Sequence, residues 1–186
     1  MNFLGALRLI HEDELELMLT WRNAPAVRRN MYTHHEITLV EHLAWWQQVR
    51  ERSDCRYLMY VQDGVPAGIV YITQLNGQDS SAFWGFYSSP NAPRGIGSCM
   101  EFLTLEHVFE DLRLHKLSCE VLAFNQPVLR LHEKFGFRVE GIFREQHALD
   151  GEFHDVHRLA LLRREWLAGR DELLQRLSQR AGRAGA

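Results

Sequence analysis

The sequence predicts one α/β domain of the α+β kind, a mixed and mostly antiparallel twisted sheet of about seven strands with helices on both faces. Two observations carry that expectation. Asp63-Gly64, Asn76-Gly77 and Asp150-Gly151 each stand between runs rich in β-branched and aromatic residues, where a tight hairpin asks for positive φ. Between the second and third of these, Leu105, Val108, Phe109 and Leu112 recur at i, i+3, i+4 and i+7, the apolar stripe of a helix that packs on a sheet.

The elements follow in order. Leu7 to Ile10 reads as a short strand, and Glu12, Asp13 and Glu14 open a helix whose first turn favours negative charge. Leu15, Met18 and Leu19 give that helix its buried side, and Asn23 and Pro25 break it. Thr38 and Glu41 form a capping box for a second helix with Leu39, Leu43 and Trp46 on one face. Arg56 to Ser88 holds three consecutive antiparallel strands. A helix from about Gly97 leads to a strand at Lys116 to Phe124, and a further helix from Gln126 to Phe135 begins with Asn125 as N-cap and ends at Gly136. Arg138 to Leu149 and Glu152 to Leu162 complete the sheet as a hairpin, and the tail is helical before it turns too polar and small to order.

Composition excludes several classes. The chain has 186 residues, within the roughly 100–200 that one domain uses. Its net charge of −3 lacks the basic footprint of a nucleic-acid binder. Cys55, Cys99 and Cys119 are odd in number and lack metal-like spacing, so reduced thiols are expected and neither a disulfide framework nor a metal site. His34-His35 and the His147, His154 and His157 group likewise form no ligand set. Met1 to Ala6 is too short for a signal peptide and no membrane-length apolar run follows, so a cytoplasmic protein without membrane partner is expected; a homodimer is within what the sequence allows.

The strand ending at Ser88 is followed by Ala92-Pro93-Arg94-Gly95-Ile96-Gly97-Ser98, which opens directly into a helix. Glycines free the backbone to curl N–H groups around an anion, and the helix N-terminus adds partial positive charge. Gly-x-Gly alone usually marks an ordinary turn; its place between strand and amphipathic helix is what suggests a pyrophosphate. It is neither the dinucleotide fingerprint, which would need glycine at Met100, nor a Walker loop.

Downstream, Asn125-Gln126-Pro127-Val128-Leu129-Arg130-Leu131-His132-Glu133-Lys134-Phe135-Gly136-Phe137 has an Asn N-cap and a helix closing on Glu-Lys-x-Gly-Phe. The two segments together resemble the GNAT superfamily of acetyltransferases, over Leu7 to about Leu162. The resemblance implies a sheet splayed in the middle and acetyl-CoA lying in the opening. By position, Phe86, Tyr87 and Ser88 would offer a backbone edge to pantetheine, Arg94, Gly95, Ile96, Gly97 and Ser98 would hold the pyrophosphate, and Asn125 would meet the pantetheine arm. It also implies a GNAT domain over 1–168 with a helical extension and polar tail over 169–186. Two positions depart from the superfamily: Ala92 stands where Gln or Arg is usual, and His132 where a tyrosine acid is usual.

Acetyl transfer to an amine needs a neutral nitrogen, oxyanion stabilisation and a proton for the leaving thiolate, but no enzyme nucleophile. The superfamily pattern puts the oxyanion donor at a backbone N–H near Tyr87. His132 shares the inward stripe of Val128, Leu131 and Phe135, which suits the acid and equally suits a core histidine. Glu120, in a strand bordering the cleft, is a candidate base through water; as a surface strand residue it would do nothing.

Trp21-Arg22-Asn23, Asn30-Met31-Tyr32-Thr33, His35-Glu36-Ile37 and Glu41 to Trp46 resemble the N-acetyltransferases of bacterial pseudaminic acid synthesis. That resemblance implies a UDP-linked 4-amino-4,6-dideoxy sugar as acceptor, in a pathway that feeds flagellin glycosylation. Met31, Tyr32, Trp45 and Trp84 offer apolar and aromatic surface for a deoxy sugar and a uracil, although Trp45 and Trp84 also suit a core. A protein N-terminus and a non-catalytic acyl-CoA-binding role are the alternatives, the first because related enzymes share the Trp-Arg-Asn opening.

Overall fold

A computed structural model describes residues 3–184. Met1, Asn2 and the last two residues of the expected tail lie outside them. Seven strands form one sheet, β1 (Ala6–Leu9), β2 (Arg56–Gln62), β3 (Val65–Asn76), β4 (Ser81–Ser88), β5 (Lys116–Leu122), β6 (Arg138–Leu149) and β7 (Glu152–Leu162), in the spatial order β1-β2-β3-β4-β5-β7-β6. Every pair is antiparallel except β4 with β5.

That parallel pair is short. Its register covers only Ser81 with Lys116, Ala82 with Leu117 and Phe83 with Ser118. Beyond Phe83 the two strands run on to Ser88 and Leu122 without pairing each other, so the sheet opens in its middle. Backbone groups unpaired within a sheet are a template for another extended segment.

Period-two alternation supplies both cores. On β2, Leu58 and Tyr60 enter one apolar cluster and Met59 the other; on β3, Val70 and Ile72 oppose Ile69. The helices α1 (Leu15–Asn23), α2 (Pro25–Arg28) and α3 (Leu39–Val49) belong to the cluster of Met59, Ile69 and Tyr87. The opposite cluster takes α4 (Ile96–Glu106), α5 (Gln126–Lys134) and α6 (Arg163–Ala184). In α4 and the π-turn that continues it, Leu105, Val108 and Phe109 are fully buried, as their spacing predicts. On α6, Trp166 packs between Phe102 and Phe109, Leu173, Leu174 and Leu177 reach the core, and Arg170 makes two 2.6 Å hydrogen bonds to Glu106. The helix continues to Ala184.

Two local expectations change. Asp63-Gly64 and Asp150-Gly151 adopt positive φ at both residues, but Gly77 does not; Gln74 and Ser80 carry the positive φ instead. Asn76 explains the difference, since its Oδ1 accepts from the N–H of Gln78 and Asp79 and winds a wider turn. On α3 the capping box of Thr38 and Glu41 forms, yet Leu39 and Leu43 are about 40% exposed. His42 and Trp46 are the buried pair, flanked by Trp45 and Val49, so the inward face lies off the leucine stripe.

Candidate active site

The turn before α4 is made by Gly95, at φ 94° as N-cap. Ile96 N–H reaches Pro93 O and Ser98 N–H reaches Gly95 O, whereas the N–H groups of Gly95 and Gly97 take no backbone acceptor among the described residues. These are the free donors that an anion at a helix N-terminus uses. Gly97 has a second duty: a Cβ there would stand 3.3 Å from Leu131 Cδ2 and 3.5 Å from Phe86 Cε2, so its missing side chain lets α4 approach α5 and β4. The hollow at this turn is lined by Gly95, Gly97 and Ser98 on one side and by Arg130 and Lys134 of α5 on the other. Arg94 is exposed and lies off that wall, and Ile96 turns its side chain into the core, leaving only its backbone to the turn. A diphosphate fits the free N–H groups and the two flanking cations.

The opening between β4 and β5 is walled by Trp84 to Ser88 and Cys119 to Leu122, with Asn125, Val128 and His132 closing it. Asn125 occupies the N-cap position of α5, but its side chain makes no capping bond, contrary to the usual role of an Asn there. Its amide therefore remains for the opening. His132 is buried, with Nδ1 2.9 Å from Glu101 Oε1; Glu101 is wholly buried and its Oε2 has no partner. Burial works against the imidazolium, but the Glu101 carboxylate and the neighbouring Cys119 override it and raise His132 to about 10. Burial also pushes the Glu101 carboxyl up, so the pair keeps a shared proton through the neutral range.

A third hollow, of about 420 Å³, lies against the other face of the sheet and is lined by Met31, Tyr32 and Trp45, with Tyr57, Tyr71 and Tyr87 from the strands. Trp45 stacks on His42 and stands edge-on to Tyr57. Tyr32 Oη donates to Glu120 Oε2 at 2.6 Å, and Arg158 Nη1 lies 3.4 Å from the other oxygen while its guanidinium covers the Phe83 ring. Burial, then the Glu120 hydrogen bond, raises the Tyr32 phenol. Burial likewise raises that of Tyr87, whose ring borders both this hollow and the opening between the strands.

Met31, Tyr32, Trp45 and Glu120 thus come together, but Trp84 does not join them. Strand alternation turns it to the α4–α5 side, where it packs against Phe86 and His132 at the opening. Sequence reasoning missed Arg22, Tyr57, Tyr71, Gly85, Arg130 and Lys134. The Trp-Arg-Asn segment held one signal: Trp21 enters the core, Arg22 lines the hollow, and Asn23 ties Ile37 through both its amide atoms at 2.7 and 2.9 Å. That tie fixes the irregular segment carrying Met31, Tyr32 and Thr33. Gly85 makes room for Tyr71, since a Cβ there would lie 2.7 Å from Tyr71 Cε2. Among the described residues no three His, Cys, Asp or Glu side chains form a metal-binding group, and no helix is long and apolar enough to cross a membrane.

Known proteins bear on this geometry. The chain is 26% identical over 130 residues to the acetyltransferase PseH of Campylobacter jejuni, covering 70% of this chain and 80% of that one. It is 23% identical over 164 residues to the spermidine N(1)-acetyltransferase of Escherichia coli K12, covering 87% and 88%. The fold matches that of the spermidine N-acetyltransferase of Vibrio cholerae, solved with CoA and spermine, at a TM-score of 0.84 and 21% identity over 89% of this chain and 99% of that one. The acetyltransferase (GNAT) domain model matches residues 6–138, which take in the glycine turn, the opened strands and α5. The chain belongs to that family, and it is an acetyl-CoA-dependent N-acetyltransferase.

Proposed function

We propose that this enzyme acetylates the amino group of a nucleotide-linked sugar, the 4-amino group of a UDP-linked 4-amino-4,6-dideoxy sugar in pseudaminic acid biosynthesis, and so serves flagellin glycosylation from the cytoplasm. The observation that carries the reading is the Tyr32–Glu120 hydrogen bond, which joins the aromatic hollow to the opening between β4 and β5. Similarity to PseH and the resemblance of the Trp21 to Trp46 region to pseudaminic acid N-acetyltransferases support it.

Acetyl-CoA supplies an activated thioester. Around it the chain binds and orients: N–H groups of Gly95 and Gly97 with Arg130 and Lys134 take the phosphates, the Phe86 to Ser88 backbone pairs with the pantetheine amides, and the Asn125 amide meets the same arm. The Tyr87 N–H is turned toward β3, in register with the Ser89 N–H bond to Ala67 O, so oxyanion stabilisation on this edge falls to the N–H groups of Phe86 and Ser88 beside it, which face the opening. Glu120 draws the proton from the acceptor amine through water, and the His132–Glu101 pair holds the proton needed at the departing sulfur. Direct attack without an acetyl-enzyme follows from the nucleophilicity of a neutral amine.

Release of free thiol from acetyl-CoA tests the proposal, with a UDP-linked 4-amino-4,6-dideoxy sugar, spermidine and N-terminal peptides compared as acceptors. The sugar nucleotide should give the highest kcat/KM. Turnover of spermidine or peptide in its place would overturn the substrate, and CoA binding without turnover of any amine would leave an acyl-CoA-binding module.

A further inference from the structure

We infer that Arg22 is the anion-recognising residue of the acceptor hollow, taking phosphate oxygens of the acceptor and setting the site against polycationic amines. The inference deepens the nucleotide-sugar reading and rests on it for the identity of the anion. Arg22 lies on α1 and lines the aromatic hollow beside Tyr71 and Tyr87. Its Nη2 donates to Thr33 O at 3.2 Å, while Nη1 is buried from solvent and has no protein partner. The ionisable groups that act on it are Tyr87, Tyr71 and Arg28, none of them a carboxylate, and burial pushes the guanidinium down. A charge with an unmatched donor in a half-enclosed site is normally removed by pairing.

Nothing else on the wall supplies the counter-charge. Glu41 is the carboxylate lining the hollow, and it is occupied by the Thr38 N–H and hydroxyl at 2.7 Å as the cap of α3, with His35 3.6 Å away. His42, next to Arg22, is held neutral by burial foremost and by the Arg22 charge. A ligand bringing phosphate oxygens pairs with the solvent-facing Nη2 side of Arg22 and neutralises its charge, while the aromatic rings of the hollow take a planar base or sugar face. A polyamine would instead place ammonium groups beside an unneutralised guanidinium. This separates the hollow chemically from a polyamine site, although the backbone resembles that of a spermidine acetyltransferase.

The test is calorimetric titration of the full chain saturated with CoA, so that the glycine turn is filled, using UDP, uridine and inorganic pyrophosphate as probes. UDP should bind at least about tenfold tighter than uridine, and the advantage should disappear in Arg22→Gln and be only partly kept in Arg22→Lys, because an ammonium lacks the planar fork. CoA affinity, read on the same variants, should stay within about twofold, which reports an intact fold. If UDP fails to bind but pyrophosphate binds and is lost in Arg22→Gln, Arg22 stands as the anion site and the nucleotide-sugar reading falls. Equal binding of UDP and uridine to the wild type with no pyrophosphate site, or an undiminished anion preference in Arg22→Gln, would overturn the inference.

Discussion

The glycine turn and the aromatic hollow, proposed to take the cofactor and the acceptor, are built from different material. The turn is backbone: Gly95 at positive φ, two N–H groups without a backbone acceptor, and a close helix approach that a side chain at Gly97 would crowd. The hollow is side chains, drawn from α1, the segment tied down by Asn23, α3 and three strands. A site made of main chain fits any molecule carrying the same diphosphate. One made of side chains changes its ligand with a few substitutions, which accords with this chain's similarity to relatives named for unlike activities.

If that contrast holds, damage to one half should spare the other. The largest effect is expected from Gly97→Val, whose branched side chain meets Leu131 and Phe86; CoA affinity should fall at least about a hundredfold while UDP affinity, by calorimetry, changes little. Parallel loss of both ligands would erase the distinction. Next, His132→Phe should lower kcat at least about tenfold with CoA affinity kept. An unchanged kcat would take His132 out of the mechanism and leave it a core residue. The same residue carries a pH signature. Because the folded value of His132, about 10, lies above its ordinary 6.5, the stability it contributes is present below pH 6.5 and lost as pH rises toward 10. The gap in denaturation midpoint between wild type and His132→Phe made together with Glu101→Gln, so that no titrating buried carboxyl is left behind, should therefore narrow over that interval; a gap that widens would contradict the assigned proton. The smallest effect is expected from Tyr32→Phe, which loses the hydroxyl bond to Glu120 and should raise the acceptor KM about fivefold, as one hydrogen bond of about 1 kcal/mol would, without altering CoA binding.

What the sequence showed follows the same division. The glycine turn, the Gly136 helix end at φ 91° and two of three hairpins were legible because each requires a backbone conformation that few residues adopt. The parting of β4 and β5 was visible only through resemblance, since no local pattern records where a strand stops pairing. Arg22 was hidden because a lone arginine on a short helix looks solvated until the fold turns it inward. Arg130 and Lys134 were hidden for another reason: they read as the polar face of α5, and only the approach of α4 brings that face up to the glycine turn. The α3 stripe misled because leucine spacing carries the helical period but not which phase meets α1.

A crystal structure of the chain with CoA and UDP bound tests the account most directly. The diphosphate of CoA should lie on the Gly95 and Gly97 N–H groups between Arg130 and Lys134, its sulfur between Trp84 and Cys119, and the UDP phosphates on Arg22. Finding CoA outside the opening between β4 and β5, or both ligands competing for the glycine turn, would contradict it.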